Sequence, residues 1–281
     1  MAKKLSRSGA GNFLGIAFLC VIAVLMVLPM VYAVGNSFKP MDELFKFPPT
    51  ILPRRVVTTN YTDLFVLMGN SWVPFSRYFF NTIFITTVGT FGQIVCCSLC
   101  AYPLAMYNFP GRKMISGMIV TALMFNGTVL WLPLFMIKAG LGMIDTYWAI
   151  IIPTFGSSMG MYLMQQFMSQ IPKSLVEAAR IDGAGSFKIF WTIVLPQVKS
   201  AWLTLMIFSV QGLWNTGASV FIQSESLKTL PYALAQIVST GIARQGVANA
   251  ISVIMMAVPI TTFIISQSNI IETMATSGMK D

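Results

Sequence analysis

Charged residues are missing from six long stretches of this chain, and that absence restricts its fold more than any motif does. The charge-free runs cover 8–38, 78–111, 114–137, 146–172, 200–224 and 245–271, the shortest being 24 residues. An α-helix rises about 1.5 Å per residue, so about 20 apolar residues cross a hydrocarbon core roughly 30 Å thick. A charge at mid-bilayer is expensive, so runs of this length are what spanning helices leave in a sequence. The expectation is an all-α membrane protein with six transmembrane helices, at about 12–35, 79–106, 114–137, 147–169, 201–222 and 247–270. Helices of a soluble protein carry charges every turn or two on their wet face, and these runs carry none. The first run lacks the short apolar core and small-residue cleavage site of a signal peptide, and reads as a retained helix.

Orientation rests on Lys and Arg. With the N-terminus inside, ten of the eighteen are cytoplasmic: Lys3, Lys4, Arg7, Arg112, Lys113, Lys173, Arg180, Lys188, Lys199 and Lys280. That bias, with the tight Gly111-Arg112-Lys113 loop, predicts N-in and C-in. The net charge of +9 is then topological and implies no nucleic-acid partner. Trp72, Tyr78, Tyr147 and Trp148 fall near span ends, where aromatic anchors sit. Cys20, Cys96, Cys97 and Cys100 all lie within expected spans and read as packing residues; with no His in the chain, no metal site is expected.

The chain is expected to be one membrane domain with outer loops at 36–77 and 223–246 and a cytoplasmic loop at 172–199. Five prolines in 36–77 argue for extended or turn-rich backbone with one short helix near Tyr61–Met68. A short amphipathic helix should follow Pro231. Thr82, Thr86, Gly89 and Gln93 share one helical face, and could serve helix packing or line a polar path.

The 172–199 loop reads as helix, glycine turn, helix. Pro172 suits a helix start. Ile171, Leu175, Ala178 and Ala179 should form one face, with Lys173, Glu177 and Arg180 opposite. Lys173–Glu177 and Glu177–Arg180 are at spacings that form ordinary surface pairs. Gly183, after Asp182, can take the left-handed conformation that ends a helix, and Ser186 can cap the next. Phe187, Phe190, Trp191 and Val194 recur at helical spacing and should pack on the membrane helices, with Pro196 ending the run.

Residues 177–196 also follow the pattern E-A-A, three residues, G, nine residues, I-x-L-P, filled by Glu177, Ala178, Ala179, Gly183, Ile193, Leu195 and Pro196. This resembles the cytoplasmic loop by which permeases of binding-protein-dependent ABC importers dock onto their ATPases. Asn36-Ser-Phe-Lys-Pro, Asn81-Thr and the final stretch ending Gly278-Met279-Lys280 are similar to the carbohydrate branch, and in particular to the smaller permease of maltose-transporter type. The resemblance implies a type I ABC importer permease fold. It implies a sugar or oligosaccharide importer subunit that works by alternating access, with a second, different permease, two ATPase subunits and an extracytoplasmic solute-binding protein. It implies coupling through Glu177, Ala178, Ala179, Asp182, Gly183, Ile193, Leu195 and Pro196, and an ATPase contact at Gly278, Met279 and Lys280. It further implies that Gln223, Ser224, Glu225, Ser226 and Lys228 enter the binding protein's ligand cleft; a plain connecting loop is the other reading of that segment.

The chain carries no G-x-x-x-x-G-K-[ST] phosphate loop, so ATP and Mg belong to partners and the chain is not an enzyme. No Asp, Glu, Lys or Arg sits in mid-span, which argues against an ion-coupled carrier or a channel working without ATPases. Without His, clustered carboxylates or ligand spacing, membrane enzymes find no chemistry here. An importer of a different solute, such as glycerol phosphate, is the alternative within the family.

Overall fold

The computed structural model describes residues 9–69, 73–125, 127–217, 220–239, 241 and 244–277, without side chains at 9–12, 128 and 268–277. Gly278, Met279 and Lys280 lie outside the described residues, as do Lys3, Lys4, Arg7, Trp72 and Asn126. In order the helices are α1 Gly9–Ser37, α2 Met41–Leu44, α3 Thr59–Gly69, α4 Phe75–Met106, α5 Arg112–Leu123, α6 Gly127–Gly140 and α7 Trp148–Phe155. There follow α8 Ser158–Ser169, α9 Lys173–Ile181, α10 Ser186–Ile189, α11 Leu195–Gln197, α12 Lys199–Trp214, α13 Leu230–Ser239 and α14 Gln245–Ser277. A π-helical turn fills Phe190–Val194, and a 3₁₀ turn fills Glu225–Leu227. No strand occurs among the described residues.

Among the described residues three helices are long and apolar enough to cross a membrane alone: Phe13–Ser37, Phe75–Met106 and Gln245–Gln267. A fourth candidate is bent, with Ser186–Gln197 and Lys199–Trp214 meeting at 78°. The other two expected spans are each split. Residues 114–137 fall on α5 and α6, and 147–169 on α7 and α8. A charge-free run reports immersion in lipid but not helical continuity, because a break is tolerated wherever other groups satisfy the freed backbone. The α7–α8 break shows how. Ser157 Oγ accepts from Gly160 N at 3.1 Å, and the Cys97 thiol on α4 lies 3.7 Å from Phe155 O and 3.6 Å from Ser157 O.

The chain forms two compact units, residues 1–70 with 236–255, and 71–235 with 256–281. In the first, the large apolar side chains of α1 point outward, Phe13 and Leu14 each 74% exposed, as a helix facing lipid or another subunit requires. The Pro-rich stretch after α1 is a polar knot around a lysine that is only 2% exposed. Lys39 Nζ donates to Asn36 Oδ1 at 2.7 Å and to the Thr50 carbonyl. Asn60 Nδ2 donates to Ser37 O and Lys39 O at 2.8 and 2.9 Å. Glu43, also buried, accepts from Arg54 N at 2.8 Å. Burying these charges is affordable only because each is hydrogen-bonded.

In the second unit α4 packs on α7, α8 and α12. Gly160 permits the close approach of α8: a Cβ there would lie 2.8 Å from Cys97 Sγ and 3.0 Å from Leu205 Cδ1. Gly156, four residues earlier, has no such neighbour and marks the helix break instead. Cys97, Ala101, Met164, Met168, Val176, Ile189, Phe190, Val194 and Ala201 are all buried in one cluster. This cluster joins the membrane helices to the 172–199 loop, and so fixes the loop's position.

Candidate functional site

The 172–199 loop is an elbow standing proud of that core. Pro172 holds an extended backbone, with φ −58° and ψ 127°, and α9 begins at the next residue. At its other end Gly183 has φ +79°, Gly183 N bonds Arg180 O and Ala184 N bonds Ala179 O, each at 3.0 Å. That pair of bonds is a Schellman cap, which a left-handed glycine completes at little cost. A Cβ at Gly183 would meet nothing within 4 Å, so the turn projects into open space.

The buried face of α9 differs from expectation. Val176 and Ala179 are buried together with Ile171, whereas Leu175 and Ala178 are exposed. The cause is Pro172: its extended ψ takes Ile171 out of the helical register, so a face counted from Ile171 is rotated. Neither Glu177 pair forms among the described residues. The Arg180 guanidinium sits 4.9 Å from the Tyr107 ring centre instead. Tyr107 OH donates to Ser186 Oγ at 2.9 Å, so Ser186 anchors the loop rather than capping α10, where Gly185 holds the cap position without a side-chain bond. The expected aromatic stripe is likewise divided. Phe190 and Val194 are buried, with Phe190 5.4 Å from the Tyr102 ring, while Phe187 and Trp191 are 68% and 39% exposed. The stripe consists of two adjoining i, i+4 rows, Phe187 with Trp191 and Phe190 with Val194, and the core covers only the second.

Of the sequence-derived coupling residues, Glu177, Ala178, Asp182, Gly183 and Pro196 are exposed, Ile193 and Leu195 half-buried, and Ala179 buried. The exposed ones on α9 and its cap form a small-residue ridge edged by carboxylates. Ile181, 86% exposed, stands on the same ridge. It belongs to neither expected face; the signal for it was an isoleucine next to a helix-ending Asp-Gly. The ridge can dock closely into a cleft, with an apolar anchor and acidic groups available for basic partners.

The outer 223–229 loop is held tightly. Asp145 accepts from Gln223 N at 3.0 Å, from Ser224 N at 2.8 Å and from Ser224 Oγ. Asn81 Nδ2 donates to Ser226 O and Lys228 O at 2.9 and 2.8 Å, and Tyr147 OH donates to Asn81 Oδ1 at 2.7 Å. Tyr78, expected as an interfacial anchor, is buried with its OH 2.9 Å from Glu225, which also pairs with Lys228 at 2.7 Å. The side chains of Ser224, Glu225 and Lys228 are thus engaged within the chain, and Gln223 and Ser226 point to solvent. Asn81 and Asp145 are the staples; an intramembrane Asn and a loop Asp gave no sign of this shared partner.

The hydroxyl and amide of Ser224, then the Gln223 amide, hold the Asp145 carboxyl below its usual pKa. A depressed carboxylate stabilises its fold above the unfolded value, about 3.9. The staple should therefore be intact at neutral pH and fail as pH falls through the lower folded value. Asp145 has φ +62°, so Asp145→Gly keeps the backbone and removes only the carboxylate. Hydrogen exchange at the Gln223 and Ser224 amides should then rise about tenfold or more, whereas exchange across α4 stays unchanged.

Residues 93–271 match the family described as binding-protein-dependent transport system inner membrane component. The AraQ permease protein of the arabinooligosaccharide transport system of Halalkalibacterium halodurans is 29% identical over 271 residues, covering 95% of each chain. The UgpE permease protein of the sn-glycerol-3-phosphate transport system of Yersinia enterocolitica is 32% identical over 69% of this chain and 70% of its own. A chain from the crystal structure of a bacterial ABC transporter involved in import of the acidic polysaccharide alginate superposes with TM-score 0.78 at 24% identity. It covers 93% of this chain and 98% of that one. The all-helical chain has the fold of type I importer permeases. The chain belongs to the binding-protein-dependent transport system inner-membrane components: it is a multi-pass permease subunit of the cell membrane, and ATP hydrolysis falls to separate subunits.

Proposed function

We propose that this chain is one of two different permeases in an importer for a sugar or oligosaccharide, driven by two ATPase subunits and fed by an extracytoplasmic binding protein. The exposed, Schellman-capped elbow of Glu177–Gly183 on a member of this family is the observation that carries the reading. Six spans with both termini in the cytoplasm put the elbow beside the ATPases, which supply ATP and Mg. There Ala178 and Gly183 allow close approach, Glu177 and Asp182 meet basic groups, and Ile181 fills an apolar hollow. Ile193, Leu195 and Pro196 brace the elbow from behind, and Ala179 seats it on the core. ATPase closure then pulls α9 inward, and Phe190 and Val194 carry the displacement to α4. Gly278, Met279 and Lys280 make a second ATPase contact. On the outer side Gln223 and Ser226 present free polar groups to the docked binding protein, while Ser224, Glu225 and Lys228 keep the loop rigid.

A sugar is favoured by the end-to-end likeness to AraQ. The likeness to UgpE supports a second reading, glycerol phosphate, over a shorter share of the chain. Purification of the chain through an affinity tag should bring down an equal amount of a second permease and twice that amount of ATPase subunits. Uptake into proteoliposomes should require both ATP and the binding protein. Uptake that survives without the ATPase contradicts the proposal.

A further inference from the structure

The corner where α4 turns into α5 lies at the elbow end of the molecule, since Tyr107, which closes α4, bonds Ser186 at the start of α10. A cavity of about 810 Å³ opens at this corner, lined by Asn108, Arg112, Lys113, Ser116 and, from α8, Gln165. Arg112 is fixed in place: its Nε donates to Leu104 O at 2.8 Å and its Nη1 to Asn108 Oδ1 at 2.7 Å. Both acceptors are neutral, so the guanidinium charge stays uncompensated. Lys113 is exposed and makes no hydrogen bond or ion pair among the described residues. Gln165 Nε2 donates to Ser116 Oγ at 2.9 Å, which leaves the Ser116 hydroxyl able to donate. Among the described residues no acidic side chain lines the cavity, and the sequence has none between Asp63 and Asp145.

A second cavity, of about 580 Å³, continues along the same two helices. Met118, Thr121, Ala122 and Phe125 line it from α5 and its end, Leu130 from α6 and Ser158 from α8. Thr121 spends its hydroxyl on Gly117 O at 2.9 Å, and so offers its methyl group. Met118 and Phe125 are 57% and 58% exposed. The 12 residues of α5 rise about 18 Å, roughly the depth of one leaflet.

Together the cavities suit a ligand with an anionic head and an apolar tail. A free phosphate would use the first and leave the second open. An apolar helix would fill the second and leave two cations without a counter-charge. A zwitterionic phospholipid brings an ammonium that finds no carboxylate. An anionic phospholipid satisfies both cavities, as basic pockets between membrane helices do for such headgroups.

We propose that this corner is a binding site for an anionic phospholipid, with its phosphate on Lys113, Arg112 and Ser116 and an acyl chain along α5. The inference rests on the proposed orientation for one detail, that the lipid comes from the cytoplasmic leaflet. A lipid held there braces α5 against α8, which ends at Ser169, just before the elbow begins.

The test uses the whole importer in detergent, with a photo-reactive phosphatidylglycerol that carries a diazirine on its acyl chain. Labelled peptides should map to the segment from Met114 to Leu130. Excess phosphatidylglycerol should suppress the label, and phosphatidylcholine of the same chain length should not. Lys113→Gln should raise the lipid concentration for half-maximal labelling about fivefold, the effect of one basic side chain at an anionic lipid surface. Lys188→Gln removes an equal charge from an exposed position outside the cavity and should leave that concentration unchanged. Equal suppression by phosphatidylcholine, or equal shifts in the two variants, overturns the anionic head site. Suppression by inorganic phosphate alone marks a site for a free anion, and absence of label marks a face covered by the other permease; either overturns the proposal. None of these readings depends on uptake or orientation, so the site can fail while the importer reading stands.

Discussion

Replacing Glu177 by Lys, or Gly183 by Trp, should leave the protein inserted and folded but reduce ATP-driven uptake at least about 30-fold. The magnitude follows from losing one partner of an ion pair desolvated at an interface, which costs about 2–5 kcal/mol. Neither change should disturb the chain alone. Glu177 is exposed and makes no ion pair among the described residues. A side chain at Gly183 enters open space, and its left-handed φ of +79° adds only about 1–2 kcal/mol of strain. Gly183→Ala separates the two effects: it carries the strain without the bulk, and should keep most of the uptake. Equal losses in the Ala and Trp variants would mean that backbone conformation, not close approach, is what the elbow requires.

The second large effect is on stability. Phe190 is 1% exposed and its ring lies 5.4 Å from Tyr102 on α4 and 5.1 Å from Trp191. Phe190→Ala should cost about 3–5 kcal/mol through lost contacts and the cavity left behind. Phe187→Ala, three residues earlier and 68% exposed, should cost little in the purified chain. Phe187 and Phe190 stand on neighbouring rows of the helical run, Phe187 with Trp191 and Phe190 with Val194, and only the second row meets the core. The contrast, read as detergent-solubilised thermal unfolding, therefore tests which row faces the core. Similar destabilisation by the two variants would show that the Phe187 row is buried as well.

The same stretch shows what a sequence discloses and what it withholds. The ends of α9 were legible because local chemistry sets them: Pro172 lacks an N–H and Gly183 tolerates positive φ. The immersion of α4 and α14 was legible from missing charges. The breaks near residues 125 and 156 were not, since the second is paid for by the Cys97 thiol about 60 residues away. Register failed at Pro172, where the backbone leaves the helix, and the aromatic stripe proved wider than the face that the core covers. The stapling of the outer loop by Asn81 and Asp145 depends on partners distant in sequence, and the burial of Lys39 on an irregular loop fold, neither of which periodicity records. Ile181 was overlooked for a simpler reason. An exposed isoleucine gains meaning only once the turn beside it is known to project.

The central claim is that the Ala178–Gly183 ridge is the surface the ATPase grips. Single cysteines at Ala178, Ile181 and Asp182, with Thr192 as an exposed control on the neighbouring helical run, can each carry a short photo-reactive cross-linker in the assembled importer. The account predicts that the three ridge positions cross-link to the ATPase in high yield, that nucleotide changes the yield, and that Thr192 gives little product. Cross-linking centred on Thr192, with the ridge positions unreactive toward the ATPase, would contradict it.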